Sequence, residues 1–171
     1  ESKSRFLHGY YQFHKRPLRD YLFLFVESLL PLMSIFPRLM NFLTHTTLSR
    51  LFIKWVLGLV DMPTVSTLWV RYQLRKRRVL LRKGEQLKQM DTHKLVILIQ
   101  DPWTRFYDAQ VFIDTIDLLR KMGYMVKVLP YFNTGKSAHV KGFLKSFEKT
   151  VHRNITYLNQ VASKDMVVLG I

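Results

Sequence analysis

The feature that most constrains this chain is a five-residue run with no polar side chain, Leu95-Val96-Ile97-Leu98-Ile99. A half-buried strand alternates apolar and polar residues. A run that is apolar throughout, and too short for a helix, reads as a strand covered on both faces, the usual state of parallel sheets. Asp101-Pro102 ends it, because proline cannot donate to a ladder. Asp108 suits a helix cap, and Phe112, Ile116 and Leu119 then share one face of a helix expected over Ala109–Met122, with Gly123 as its stop. Val126–Leu129 reads as a second strand closed by Pro130, and Met166–Ile171 as a third. Between them Val140, Leu144, Phe147, Val151, Ile155, Leu158 and Ala162 recur at spacings of three and four, the stripe of one long helix. Strand, helix, strand, helix, strand at this spacing implies parallel strands joined by right-handed crossovers. The expected fold class is α/β: a helical N-terminal half followed by a Rossmann-like β-α-β-α-β half-domain with a parallel sheet over 94–171.

The preceding residues read as a helical linker region over 1–64 and a basic connector helix over 65–93. Leu18, Leu22, Phe25 and Leu29 set a helix over 18–30, and Pro31 and Pro37 are expected to break or kink the chain beyond it. Thr47 or Ser49 can cap another helix through Leu59, and Asp61-Met62-Pro63-Thr64 marks a boundary. The connector holds Arg71-Tyr72-Gln73-Leu74-Arg75-Lys76-Arg77-Arg78, whose apolar neighbours form no single stripe.

The net charge is +15, from 27 Lys and Arg against 12 Asp and Glu, and most of it lies before residue 91. Such an excess points to anionic lipid, nucleic acid or an acidic protein surface, or to a solvated helix whose acidic counterpart lies elsewhere in a longer protein. The basic run Arg71–Lys83, with Trp69 and Tyr72, matches no nucleic-acid motif, so nucleic acid is not the expected partner. The apolar stretches Tyr21–Phe36 and Leu51–Val60 are interrupted by Glu27 and Pro31 and by Lys54. Both fall short of the ~20 apolar residues of a spanning helix. The chain has no initiator methionine and stops at Ile171 directly after an apolar run, so it is expected to be an excised piece of a longer protein.

Cysteine is absent, which removes disulfides, thiolate metal ligation and a cysteine nucleophile together. His8, His14, His45, His93, His139 and His152 show no metal-ligand spacing backed by acids. No catalytic or metal residue is therefore assigned. Two loops remain as candidate anion- or partner-binding sites. The loop after the first strand carries Asp101, Trp103, Arg105 and Tyr107, at the edge where open α/β sheets bind ligands; the same residues could instead cap, pack and pair. The loop Asn133-Thr134-Gly135-Lys136-Ser137 lies before a helix, where free N–H groups favour an anion, with Lys136 as counter-charge. Its Gly-Lys-Ser fails the Walker A pattern, since Pro130 stands where the first glycine is required. Asn133, Gly135, Lys136 and Ser137 are thus either an anion site or a capped turn.

Three segments carry a resemblance: Val96-Ile97-Leu98-Ile99-Gln100-Asp101-Pro102-Trp103-Thr104-Arg105-Phe106-Tyr107, then Leu129-Pro130-Tyr131-Phe132-Asn133-Thr134-Gly135-Lys136, then His139-Val140-Lys141-Gly142-Phe143-Leu144. They are similar to the C-terminal region of large bacterial FAD-linked oxidases fused to an iron–sulfur module, proteins like D-2-hydroxyglutarate and D-lactate dehydrogenases. Leu29-Leu30-Pro31-Leu32-Met33 and Leu59-Val60-Asp61-Met62-Pro63 resemble their helical linker. The C-terminal region also resembles the cysteine-rich domain of the glycolate oxidase iron–sulfur subunit, the anaerobic glycerol-3-phosphate dehydrogenase small subunit and heterodisulfide reductase. There a cysteine follows the first strand and Cys-Cys-Gly the second; here those places hold Gln100-Asp101-Pro102 and Asn133-Thr134-Gly135, a degenerate version.

The resemblance implies a non-catalytic structural fragment of a flavin- and iron–sulfur-dependent D-2-hydroxyacid dehydrogenase. It implies FAD and [4Fe-4S] clusters in the parent, none in this piece, and the FAD and ferredoxin-type domains of the same chain as partners. The expected location is cytoplasmic, with a peripheral contact to the inner membrane open. The other reading is a self-contained basic module for an anionic membrane surface or nucleic acid.

Overall fold

The computed structural model describes residues 1–60, 62–82, 87 and 93–171, so Asp61, Lys83 and most of residues 84–92 lie outside the described residues. Packing divides the chain into two units: Leu68–Phe132 with Arg153–Ile171, and Glu1–Thr67 with Asn133–His152. The segment Asn133–His152, inside the span 94–171, groups with the N-terminal helices.

The sheet unit is built on β1 (Leu95–Ile99), the wholly apolar run. It lies between β2 (Met125–Val128) and β3 (Val167–Gly170) in a parallel three-stranded sheet of order β2-β1-β3. Val96 stands opposite Val126 on one side and Val167 on the other. Side chains alternate across a strand, and β1 serves two cores. Val96 and Leu98 pack with Phe112, Ile113 and Ile116 of α7 (Ala109–Lys121) and with Val70 and Leu74 of α5 (Val70–Lys76). Leu95 and Ile97 pack with Leu81, Leu87, Leu129 and Met166, and with Tyr157 and Leu158 beside them. An apolar residue at every position of β1 is the direct requirement of those two faces. β3, on the edge, is exposed along its length.

Two elements differ from expectation. The loop after β1 is a helix, α6 (Pro102–Tyr107), started by the Asp101 carboxylate, which accepts from the backbone N–H of Trp103 and Thr104 at 2.9 and 3.3 Å. Proline at its first position lacks only an N–H that would have no helical partner. Within the stretch 65–93, the described α-helix is Val70–Lys76, with Leu87 in 3₁₀ conformation. Arg78 then turns with φ +56°, and Val79–Leu81 run extended along the outer edge of β2. Leu81 N–H donates to the Val128 carbonyl at 2.9 Å, and Val128 N–H to the Val79 carbonyl at 2.8 Å. A continued helix would stack Arg71, Arg75, Arg78 and Arg82 at helical spacing, where like charges repel; the extended path instead covers a strand edge. Arg77 clips α5 to α7, its Nε and Nη2 donating to the Asp117 carboxylate at 2.9 and 2.7 Å.

The helical unit comprises α1 (Ser2–Phe13), α2 (Leu18–Met33), α3 (Pro37–His45), α4 (Thr47–Leu57), α8 (Lys136–Val140) and α9 (Leu144–Val161) up to His152. Helix α2 runs through Pro31 and ends two residues later, while Pro37 opens α3. The stripe read for α2 is not its buried one: Leu18, Phe25 and Leu29 are exposed, and Asp20, Val26, Glu27 and Leu30 are buried. The helix is apolar nearly all round, so periodicity could not choose a face. Thr46, rather than Thr47 or Ser49, sits at the N-cap of α4. The single long helix expected from Val140 to Ala162 is α8 and α9 separated by Gly142, at φ +72°. A Cβ there would lie 2.8 Å from the Ser4 carbonyl and from Leu7 Cβ, so α1 approaches closer than any side chain allows.

Phe112→Ala should lower the stability of the sheet unit by about 3–5 kcal/mol, read as lost hydrogen-exchange protection in β1 and a lower urea midpoint. Hydrogen bonding to Arg77 holds the Asp117 carboxyl below the usual range. Its contribution is complete above the unfolded pKa of about 4 and is lost as pH falls through the depressed folded value. Asp117→Asn should therefore lower stability at neutral pH and flatten the acid limb of the stability–pH curve, measured by urea unfolding across pH.

Candidate functional site

The loop read as an anion site holds an anion, and the anion is internal. Glu27 is 3% exposed. Its Oε2 accepts from the backbone N–H of Thr134 at 2.6 Å and of Gly135 at 3.0 Å, and its Oε1 from that of Ser137 at 2.9 Å. The Thr134 hydroxyl adds a contact at 3.2 Å, and Asn133 Nδ2 donates to Ser28 Oγ at 2.6 Å. Gly135 makes the nest possible: its φ is +82°, and a Cβ would meet Phe147 and Thr150 at 3.2 Å. Of the predicted residues, Asn133, Gly135 and Ser137 therefore bind α2. Lys136 contributes its backbone N–H to Thr134 Oγ1 at 3.3 Å.

Nearer the start of α2, Asp20 is the second buried acid of that helix. Lys141 Nζ donates to it at 2.9 Å, and Arg16 Nη1 lies 3.9 Å from its other oxygen. Arg16 also donates to the Lys141 carbonyl at 2.6 Å and stacks over Phe143. Sequence reasoning passed over Asp20 as a site residue and used Glu27 only as a break in an apolar stretch. The usable signal is two acids seven residues apart on a largely apolar helix, in a chain with few acids.

The loop after β1 divides differently. Asp101 caps α6, and Trp103 and Tyr107 stack on each other with ring centroids 5.7 Å apart. Burial pushes the Tyr107 hydroxyl's pKa up. Arg105 alone of the four turns to a cleft of about 1170 Å³ within the sheet unit. The cleft lies at the carboxyl ends of β1 and β2. Arg71, Arg75, Arg78, Arg82, Arg105 and Lys127 line it, with no acid among the described lining residues. Leu74, Leu80, Leu81 and Pro130 supply apolar wall, and Gln100 and Tyr131 complete it. Arg105 lies over the rings of Phe106 and Tyr131, at 5.1 and 5.4 Å from their centroids. Its Nε is buried and has no hydrogen-bond partner. Desolvation pulls its pKa down to about 10, with Tyr131 opposing and Arg71 adding to the shift, so it stays protonated at neutral pH.

The chain is similar to proteins named D-2-hydroxyglutarate dehydrogenase. It is 37% identical over 174 residues to that of Escherichia coli K12, and 37% identical over 172 residues to that of Pantoea ananatis. Against that of Haemophilus influenzae it is 29% identical over 172 residues. The alignments take in 99–100% of this chain but only 17% of each relative's length. The chain thus corresponds to a segment of much larger proteins named as dehydrogenases. No protein-family profile matches it, and no solved structure matches it significantly.

An iron–sulfur cluster needs thiolate or comparable ligands. The chain has no cysteine, and no group of three His, Asp or Glu gathers among the described residues. The residues present do not fit such a cluster. The Gln100 and Asn133 loops hold a buried amide and a carboxylate nest.

Removing the Glu27 carboxylate leaves the N–H groups of Thr134, Gly135 and Ser137 without this acceptor, and the two buried ones cost about 1–3 kcal/mol each. Glu27→Ala should destabilise the helical unit by at least about 2 kcal/mol in urea unfolding. Glu27→Gln should cost less, because one acceptor oxygen remains.

Proposed function

We propose that the chain is a non-catalytic structural segment of a flavin- and iron–sulfur-dependent D-2-hydroxyacid dehydrogenase. In this reading FAD and [4Fe-4S] clusters are held by other domains of the same protein, which oxidise the 2-hydroxy acid and pass on its electrons. The observation that carries the reading is the alignment of the whole chain with a 17% portion of proteins named for D-2-hydroxyglutarate. Two features support a structural role. No thiolate is available to hold or relay electrons, and the loop best shaped for an external anion is closed by Glu27. The full-length protein should show flavin and cluster absorbance. Lys136→Ala and Tyr107→Phe should leave kcat for D-2-hydroxyglutarate oxidation within about twofold. Loss of kcat in either variant with flavin and iron content intact would sink the structural assignment.

A peripheral membrane contact has its own observation. Leu48, Leu51, Phe52 and Trp55 form an i, i+3, i+4, i+7 stripe on α4, and it faces solvent: Leu48 is 82% exposed, Phe52 64% and Trp55 91%. Arg50 and Lys54 lie on the same helix, and neither α3 nor α4 contains an acid. Exposed apolar stripes flanked by cations suit an anionic lipid interface. No helix among the described residues is long and apolar enough to cross a membrane. Vesicles containing phosphatidylglycerol should co-sediment the full-length protein, and Trp55→Ala with Lys54→Ala should release it; equal retention of the double variant would reject this contact.

A further inference from the structure

We propose that the cationic cleft at the carboxyl ends of β1 and β2 binds a small organic polyanion, one presenting two or more phosphate or carboxylate groups together with a hydroxyl or amino donor. The cleft is independent of the structural role assigned above, which leaves it unused.

Six cations line one concave space with no acid among the described lining residues. Arg77, in the middle of the same basic run, shows the contrasting arrangement: it is paired bidentately with Asp117. Arg71, Arg75 and Arg78 make no ion pair among the described residues. Low-dielectric walls concentrate their potential in the cleft. Guanidinium forks match phosphate and carboxylate oxygens two at a time.

The cleft also holds a pair of unsatisfied buried groups of opposite kind. Gln100 is 2% exposed, and its Nε2 donates to the Leu129 carbonyl at 2.5 Å. That bond fixes the amide and leaves Oε1 buried with no partner. Arg105 Nε is a buried donor with none. Each unsatisfied group costs about 1–3 kcal/mol. A simple anion answers only the arginine. A ligand that also carries a donor answers both.

Size and place agree with such a ligand. About 1170 Å³ is far more than one phosphate needs and reaches the upper range of small-molecule pockets. The carboxyl edge of a parallel sheet is where such folds hold ligands. A concave cleft also suits a small molecule better than a nucleic-acid strand, which tracks an extended groove.

The test is calorimetric titration of the full-length protein at low salt with pyrophosphate, ADP and citrate as probes, and with a single-stranded DNA oligonucleotide. Saturable one-site binding of at least one small probe is expected. Preference for pyrophosphate and ADP identifies a phosphate ligand; preference for citrate identifies a carboxylate one. Arg75→Ala and Arg78→Ala, both at exposed positions, should each weaken binding about tenfold, or about 1.4 kcal/mol. Gln100→Leu should weaken ADP or citrate, which carry donors, more than pyrophosphate; retained pyrophosphate binding shows that this variant folds. Three results overturn the proposal: no small probe binds, the arginine variants bind as the parent does, or the oligonucleotide alone binds. A nucleotide taken up at a flavin site would give the second result.

Discussion

The helical unit depends on one carboxylate. Glu27 gathers the N–H groups of Thr134, Gly135 and Ser137 from a segment more than a hundred residues away in sequence. Little apolar burial substitutes for it. Val26, Leu30 and Val65 are the buried large apolar residues among the described residues of this unit, while Phe6, Phe13, Phe25, Phe36, Phe42 and Trp55 are exposed. With so small a core, polar contacts set the geometry. Glu27 and Asp20 stand on one face of α2, and both bind residues 134–141. That arrangement explains why α8 is short and why the chain turns at Gly142 instead of continuing as one helix. Ser4, His8 and Arg16 all contact residues 139–143, which fixes where that turn must lie.

The sheet unit follows the opposite logic. Its order comes from β1, apolar on both faces, with a core on each side. Polar groups act there at margins: Asp101 starts α6, Asp117 anchors α5, and Val79–Leu81 cover an open strand edge. This last contact has a consequence for charge. Because the chain leaves the helix at Arg78 and runs along β2, the arginines on either side of the turn face one cleft rather than spreading around a helix.

The sheet was legible in the sequence because strand periodicity and buried composition are local signals. Leu95–Ile99, Val126–Leu129 and the helix from Ala109 could each be read within a short window. The helical unit was less legible because its determinants are distant. Nothing near Glu27 announces that its partners are at 134–137, and the apolar residues of α2 outnumber those its core can take. A helix of six residues such as α6 has too little periodicity to show in sequence, although Asp101-Pro102 is a good helix start. Among site residues, Arg105 was named for its position after a strand and does line the cleft. Gln100 leaves no such mark in the sequence, since a lone glutamine carries no charge and its importance comes only from burial.

The two anion-binding places of this protein bear on each other through composition. The chain has 12 acids to 27 cations, and several of the acids are committed to internal tasks: Glu27 to a backbone nest, Asp20 to Lys141 and Arg16, Asp101 to a helix start, Asp117 to Arg77. The excess positive charge is therefore not spread evenly over the surface. It is concentrated where no acid has been placed, and the cleft is one such region. A nest of backbone N–H groups can be closed by a single carboxylate from a neighbouring helix, because it needs one acceptor group of the right shape. Six side-chain cations around a wide cleft cannot be closed that way. Arg71, Arg75 and Arg78, which make no ion pair among the described residues, would need several anionic groups at once, and a polyanion supplies them.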